Sequence, residues 1–203
     1  RSMALAGLSS LATGDDSIAI GGMAPIATGQ AAVAIGGVSP TASGDRSLAL
    51  GSQSKAKAEY SIAIGDGATA KAQSKSTGQG GGIAIGRESL ANGRYTIAIG
   101  NASFANYDQS TAIGSMAQAT GHHSTAVGYR SQATGAYSRV FGPVGLASGE
   151  NSTAIGKASV AEGDRSMALA GLSSLATGDD SIAIGGMAPI ATGQAAVAIG
   201  GVS

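Results

Sequence analysis

Residues 110–123 read Ser110–Thr111–Ala112–Ile113–Gly114–Ser115–Met116–Ala117–Gln118–Ala119–Thr120–Gly121–His122–His123. Thr111 and Ile113 alternate with Ser110, Ala112 and Gly114, and Ala117 and Ala119 alternate with Met116, Gln118 and Thr120. Alternation with a period of two reads as strand, and the glycine that closes each run reads as a tight turn. The unit is therefore strand–turn–strand–turn. It is too short to bury a face of its own, so it must stack on copies of itself.

Copies are present along the whole chain. The phrase Ser/Thr–x–Ala–Ile–Gly, or a close variant, begins at residues 2, 17, 32, 47, 61, 82, 96, 110, 124, 138, 152, 166, 181 and 196. The spacings are 15, 15, 15, 14 and 21, then six of 14, then 15 and 15. Stacking such units predicts a parallel β-solenoid whose coils pair at about 4.8 Å, thirteen complete coils and a partial one filling residues 1–203 as a single body of about 60 Å. The 15-residue coils are expected to carry their extra residue in the second strand, as a bulge at Ser10–Leu11, Pro25–Ile26 and Pro40–Thr41. The 21-residue unit is expected to throw out a surface loop over 73–81, rich in Ser, Gly and Lys. Residues 165–203 repeat residues 1–39 letter for letter.

The third position of the phrase is Ala in every unit but one, where Val140 stands. Turns this short leave little room between two sheets, so small side chains belong inside. The large residues at the fourth position then point outward, among them Ile20, Ile35, Ile64, Ile85, Ile99, Ile113, Val127, Phe141, Ile155 and Ile184. Such a stripe would expose roughly 600 Å² of apolar surface, an extent that marks association. A parallel homo-oligomer with this strand at its axis is expected, and these residues are its expected interface. The second position is apolar in most units but becomes Thr111, Thr125, Arg139 and Thr153 over four successive coils. Three Arg139 side chains meeting at an axis would require a chloride, another small anion or ordered water between the Thr125 and Thr153 rings. The alternative is an outward Arg139 paired with an acid such as Glu150.

Composition closes off other readings. With 34 Gly, no Trp, no Cys and 3% aromatic residues, a conventional large-residue core is not available. A hydrophobic content of 43% at zero net charge is the opposite of a disordered chain, and 12 basic against 12 acidic residues offer no field for nucleic acid. The charge-free stretch from Asp16 to Asp45 is interrupted by Gly21, Gly22, Pro25, Gly29, Gly36, Gly37 and Pro40, which does not suit a spanning helix. No signal peptide, lipidation motif or anchor is read, so the chain is expected to be an internal piece of something longer. Gly80–Gly82 lacks the Lys–Ser/Thr of a phosphate loop, and His122–His123 alone do not supply the three or four ligands of a metal site. No catalytic constellation, metal or cofactor is expected. The corners Asp15–Asp16, Asp45–Arg46, Asp164–Arg165 and Asp179–Asp180 read as hydrophilic, solvating turns, with a charged ladder that contributes to ligand contact as the alternative.

The unit S-x-A-I-G…A-x-A-x-G at 14-residue spacing resembles the head repeat of trimeric autotransporter adhesins, the YadA-like heads, over essentially the whole chain. The resemblance implies an all-β, left-handed parallel β-roll assembled as a parallel homotrimer. It implies display on the outer membrane of a Gram-negative bacterium, with adhesion to host extracellular matrix proteins or cell surfaces and no catalysis. A structural spacer that projects a separate binding tip is the alternative function.

Overall fold

The computed structural model describes residues 1–5, 7–72 and 80–200. The insertion expected over 73–81 therefore lies outside the described residues from Gln73 to Gln79. The chain forms two compact units, residues 1–108 and 109–203.

Each unit is an all-β parallel solenoid, and no helix occurs among the described residues. In the first unit the leading strand of each coil pairs in register with that of the next, from Met3–Leu5 through Ile18–Met23 to Ile97–Ile99. The two-residue second strands, Leu11–Ala12 to Phe104–Ala105, form a second parallel sheet. The second unit repeats the plan, with leading strands from Thr111–Ile113 to Val197–Ile199 and second strands from Gln118–Ala119 to Ile190–Ala191. The expected strand–turn–strand–turn unit is what forms.

Both corners of a regular coil turn through a residue in the left-handed region, such as Arg130 (φ 53°) and Val144 (φ 60°) after leading strands, and Tyr137 (φ 56°) and Arg165 (φ 57°) after second strands. That conformation costs about 1–2 kcal/mol for a residue with a β-carbon. It persists because each such N–H finds a carbonyl of the preceding coil: Arg130 donates to Ser115, Val144 to Tyr129, Tyr137 to His122 and Arg165 to Glu150, at 2.7–3.0 Å. Glycine at the first corner allows successive coils to approach closely. At Gly114 (φ 131°) a β-carbon would lie 2.5 Å from the carbonyl oxygen of Gly128.

The interior is built from small residues. Ala112, Ala126 and Ala154 on leading strands and Ala119, Ala133 and Ala147 on second strands are fully buried. Serines fill most of the remaining inward positions, and many return a hydrogen bond to the carbonyl three residues back, as Ser124 does to Gly121 (2.7 Å) and Ser131 to Gly128 (2.9 Å). Val140 is the largest fully buried side chain. Its extra volume is accommodated within the same coil: a β-carbon on Gly145 would stand 2.7 Å from Val140 Cγ1. Other coils carry Ala, Ser or Pro at that place, such as Ala117, Ser131 and Pro25.

The 15-residue coils differ from the expectation. Their extra residue lies after the leading strand, which extends through the corner as Ile18–Met23 and Val33–Val38. Pro25 and Pro40 are fully buried interior residues. In 14-residue coils the residue there donates its N–H to the glycine three residues back, as Ala117 does to Gly114. In the longer coils proline, which lacks the donor, stands at this place. A register shift occurs where a 14-residue coil meets a 15-residue one, between Ile155 and Lys157 against Leu169 to Leu172.

Candidate interaction surface

The outward face of each leading sheet is flanked by two rows, the second and fourth positions around the buried alanine. In the first unit both rows are apolar: Ile18, Val33, Ile62, Ile83 and Ile97 beside Ile20, Ile35, Ile64, Ile85 and Ile99. All ten are partly exposed. In the second unit the fourth-position row runs Ile113, Val127, Phe141, Ile155, Leu169 and Ile184. Ile113, Phe141 and Ile155 are among its most exposed members, at 38%, 42% and 40%. Every residue expected at the interface thus lies on the outer face of its unit. Each unit leaves uncovered apolar side chains larger than any it buries, apart from Val140 and the interior prolines.

Arg139 sits in the second-position row of the second unit, paired in register with Thr125 on one side and Thr153 on the other. It is exposed. No ion pair involves it among the described residues, so pairing with Glu150 is not the arrangement within one chain.

The corners that follow the second strands carry the charges. Asp45, Asp108, Asp164 and Asp179 do more than solvate the turn. Each accepts, through Oδ1, the backbone N–H of a residue one coil earlier: Gln30, Arg94, Glu150 and Asp164, at 2.8–3.0 Å. Nothing in a single repeat reveals this, because the donor belongs to the neighbouring coil. Arg165 grips the Asp180 carboxylate with two hydrogen bonds, Nε to Oδ1 at 2.6 Å and Nη2 to Oδ2 at 2.8 Å. Those bonds, seconded by the guanidinium charge, hold the Asp180 carboxyl below the ordinary carboxylate range and raise Arg165.

Aromatic side chains stack along the same corners. His123 and Tyr137, on successive coils, lie with ring centroids 4.8 Å apart and planes 10° from parallel. In the first unit Arg46 covers the Tyr60 ring at 5.3 Å and donates to its hydroxyl at 3.1 Å. No group of three or more His, Asp or Glu side chains is arranged to hold a metal ion among the described residues.

Comparison with curated proteins returns no match. The sequence model of the YadA head domain repeat (two copies) matches residues 6–24, 42–68, 80–103, 108–131, 119–138, 147–169 and 171–188. The matches cover well over half of the chain and coincide with the stacked coils. The chain belongs to the YadA head domain repeat family, a family of adhesin heads.

Proposed function

We propose that this chain is the head of a bacterial surface adhesin, a left-handed roll that assembles with two further copies into a parallel homotrimer. The observation that carries the reading is the uncovered apolar face of each unit: an alanine and serine interior lies beside outward rows of Ile, Val, Leu and Phe. The rows flanking Ile99 and Ile113 face the neighbouring copies, and burying them supplies the apolar stabilisation that the interior lacks. At the level of Arg139 the three copies bring their guanidinium groups together between the Thr125 and Thr153 hydroxyls, where a small anion offsets the repulsion. Membership of an adhesin family supports display on the outer membrane and attachment to host matrix or cells. Affinity arises from weak contacts repeated along the coils and across three chains.

Two experiments test this. Sedimentation equilibrium of the purified chain should give three times the monomer mass, and Ile99→Asp and Ile113→Asp should lower it. Solid-phase binding to collagen, fibronectin and laminin should be retained by the trimer and weakened on dissociation. A trimer that binds none of these or host cells is a spacer, and the adhesive reading is then wrong.

A further inference from the structure

The outward face of the second sheet changes character within the second unit. Its first levels carry the exposed amides of Gln118 and Gln132. The next carry Leu146, Val160, Leu175 and Ile190, paired in register over four successive coils. Leu146, Val160 and Leu175 are half-buried. The fold does not require an apolar residue there, since glutamine stands at the same place one coil earlier. Four residues beyond Leu146, Val160 and Leu175 the corner presents Glu150, Asp164 and Asp179, all exposed, and the exposed Glu162 stands between stripe and corner. Asp164 and Asp179 each accept one backbone N–H, which leaves their charge in place, and like charges at successive levels repel. Residues 140–200 hold five acids against two cations. Of the cations, Arg165 is taken up by Asp180, and Lys157 lies at the other corner, at the end of the strand Thr153–Lys157.

We propose that this face docks a cationic amphipathic helix of a partner protein, its apolar stripe along Leu146, Val160 and Leu175 and its Lys and Arg side chains along the acidic edge. Charge sets the sign of the partner. Glu150, Glu162, Asp164 and Asp179 make no ion pair among the described residues, so a cationic segment relieves their repulsion and an anionic one adds to it. Spacing selects the helix. The four levels from Leu146 to Ile190 span about 14 Å. A helix laid along the stack returns to the same face every turn, about 5.4 Å, so its i, i+3/i+4 and i+7 side chains stay within about 2 Å of the rows over that length. An extended strand places same-face residues about 6.6 Å apart, and its third is already about 3.6 Å out of step with the third row. The face lies on the second sheet, away from the leading-sheet rows proposed to pack between copies, so it stays open in a single chain and in an assembly alike.

The probe is a synthetic, fluorescein-labelled peptide of about 18 residues with Leu at i, i+3, i+4 and i+7 spacing and Lys elsewhere. Titrated with the purified chain and followed by fluorescence anisotropy, it should bind saturably in the micromolar range at low salt. In about 0.3 M salt it should bind at least threefold more weakly. A peptide of the same composition with Leu and Lys scrambled, and one with Glu in place of Lys, should each bind at least tenfold more weakly. Val160→Gln combined with Leu175→Gln should weaken binding at least tenfold. Gln118 and Gln132 show that the fold takes glutamine at this place, and circular dichroism verifies that the variant is folded. Glu150→Gln combined with Glu162→Gln should weaken binding at low salt and flatten its salt dependence. Leu90→Gln, on the second sheet of the first unit where Arg94 stands four residues on, should leave binding unchanged. No saturable binding, equal binding of the scrambled or acidic peptide, or preference for anionic phosphatidylglycerol vesicles would overturn the assignment. So would affinity indifferent to the Val160 and Leu175 changes, or salt dependence indifferent to the Glu150 and Glu162 changes.

Discussion

Gly145→Ala is a one-carbon change at a surface-distant position, and the packing of a single coil sets its cost. The new β-carbon would lie 2.7 Å from Val140 Cγ1, well inside contact distance, and Val140 is fully buried with no room to retreat. Overpacking of this kind costs about 1–3 kcal/mol. Val140→Ala removes two buried methyl groups beside a glycine, which costs about 2 kcal/mol once the cavity is included. The double variant has Ala at both places, the pairing that Ala112 and Ala117 already make two coils earlier. It should therefore return to within about 1 kcal/mol of the parent, giving a coupling of about 2–3 kcal/mol between the two sites. Repeat arrays lose cooperativity on unfolding, so a global midpoint is a poor reporter. Native-state hydrogen exchange at the Gln132 amide, which donates to the Gly145 carbonyl at 2.8 Å, reads the local effect. If the two single changes simply add in the double variant, the steric account of this coil is wrong.

Val144 is β-branched yet held at φ 60°; Val144→Asn should stabilise by about 1 kcal/mol, measured by native-state hydrogen exchange at the residue 144 amide, which donates to the Tyr129 carbonyl, because Asn tolerates that region better. Ala117→Leu puts a large side chain where the interior accepts only small ones, and should cost about 3 kcal/mol or prevent folding, visible as loss of the β-sheet circular dichroism signal. The Asp180 carboxyl is depressed in the folded state, so its pairing with Arg165 stabilises above the unfolded carboxylate value of about 3.9 and is lost as pH falls through the lower folded value. Thermal melts between pH 5 and pH 2 should therefore fall less steeply for Asp180→Asn than for the parent.

The strands, the corners and the inward alanines were legible because one period organises them all: the small residue at the third position recurs at the same offset as the glycines. Three features were not legible, each for a physical reason. The prolines at Pro25 and Pro40 drew the extra residue of the 15-residue coils toward the second strand. They are instead interior packing residues, and the extra residue lies in the lengthened corner before them. Asp45, Asp164 and Asp179 read as solvated charges because their partner is a backbone N–H one coil away. The Val140–Gly145 exchange is five residues apart in a strand–turn–strand unit, which alternation alone does not bring into contact.

The uniformity of the coils has a kinetic corollary. Because Ala pairs with Ala at the third position of nearly every level and apolar residues pair with apolar residues at the fourth, shifting a segment by one whole coil keeps the inward and outward faces correct. Such a shift sacrifices few contacts, unlike the one-residue slip that an ordinary sheet rejects by exposing its core. A nascent chain therefore meets many almost isoenergetic pairings, the condition for rugged landscapes and trapped intermediates. The change of coil length at Ile155–Lys157 against Leu169–Leu172 breaks that degeneracy, since a displaced segment would present a 14-residue corner to a 15-residue neighbour. Irregular levels of this sort serve as index marks along the stack, and deleting Gly171 and Gly186, one from each of the two 15-residue coils that follow, to even the spacing should slow productive refolding by multiplying the wrong alignments available.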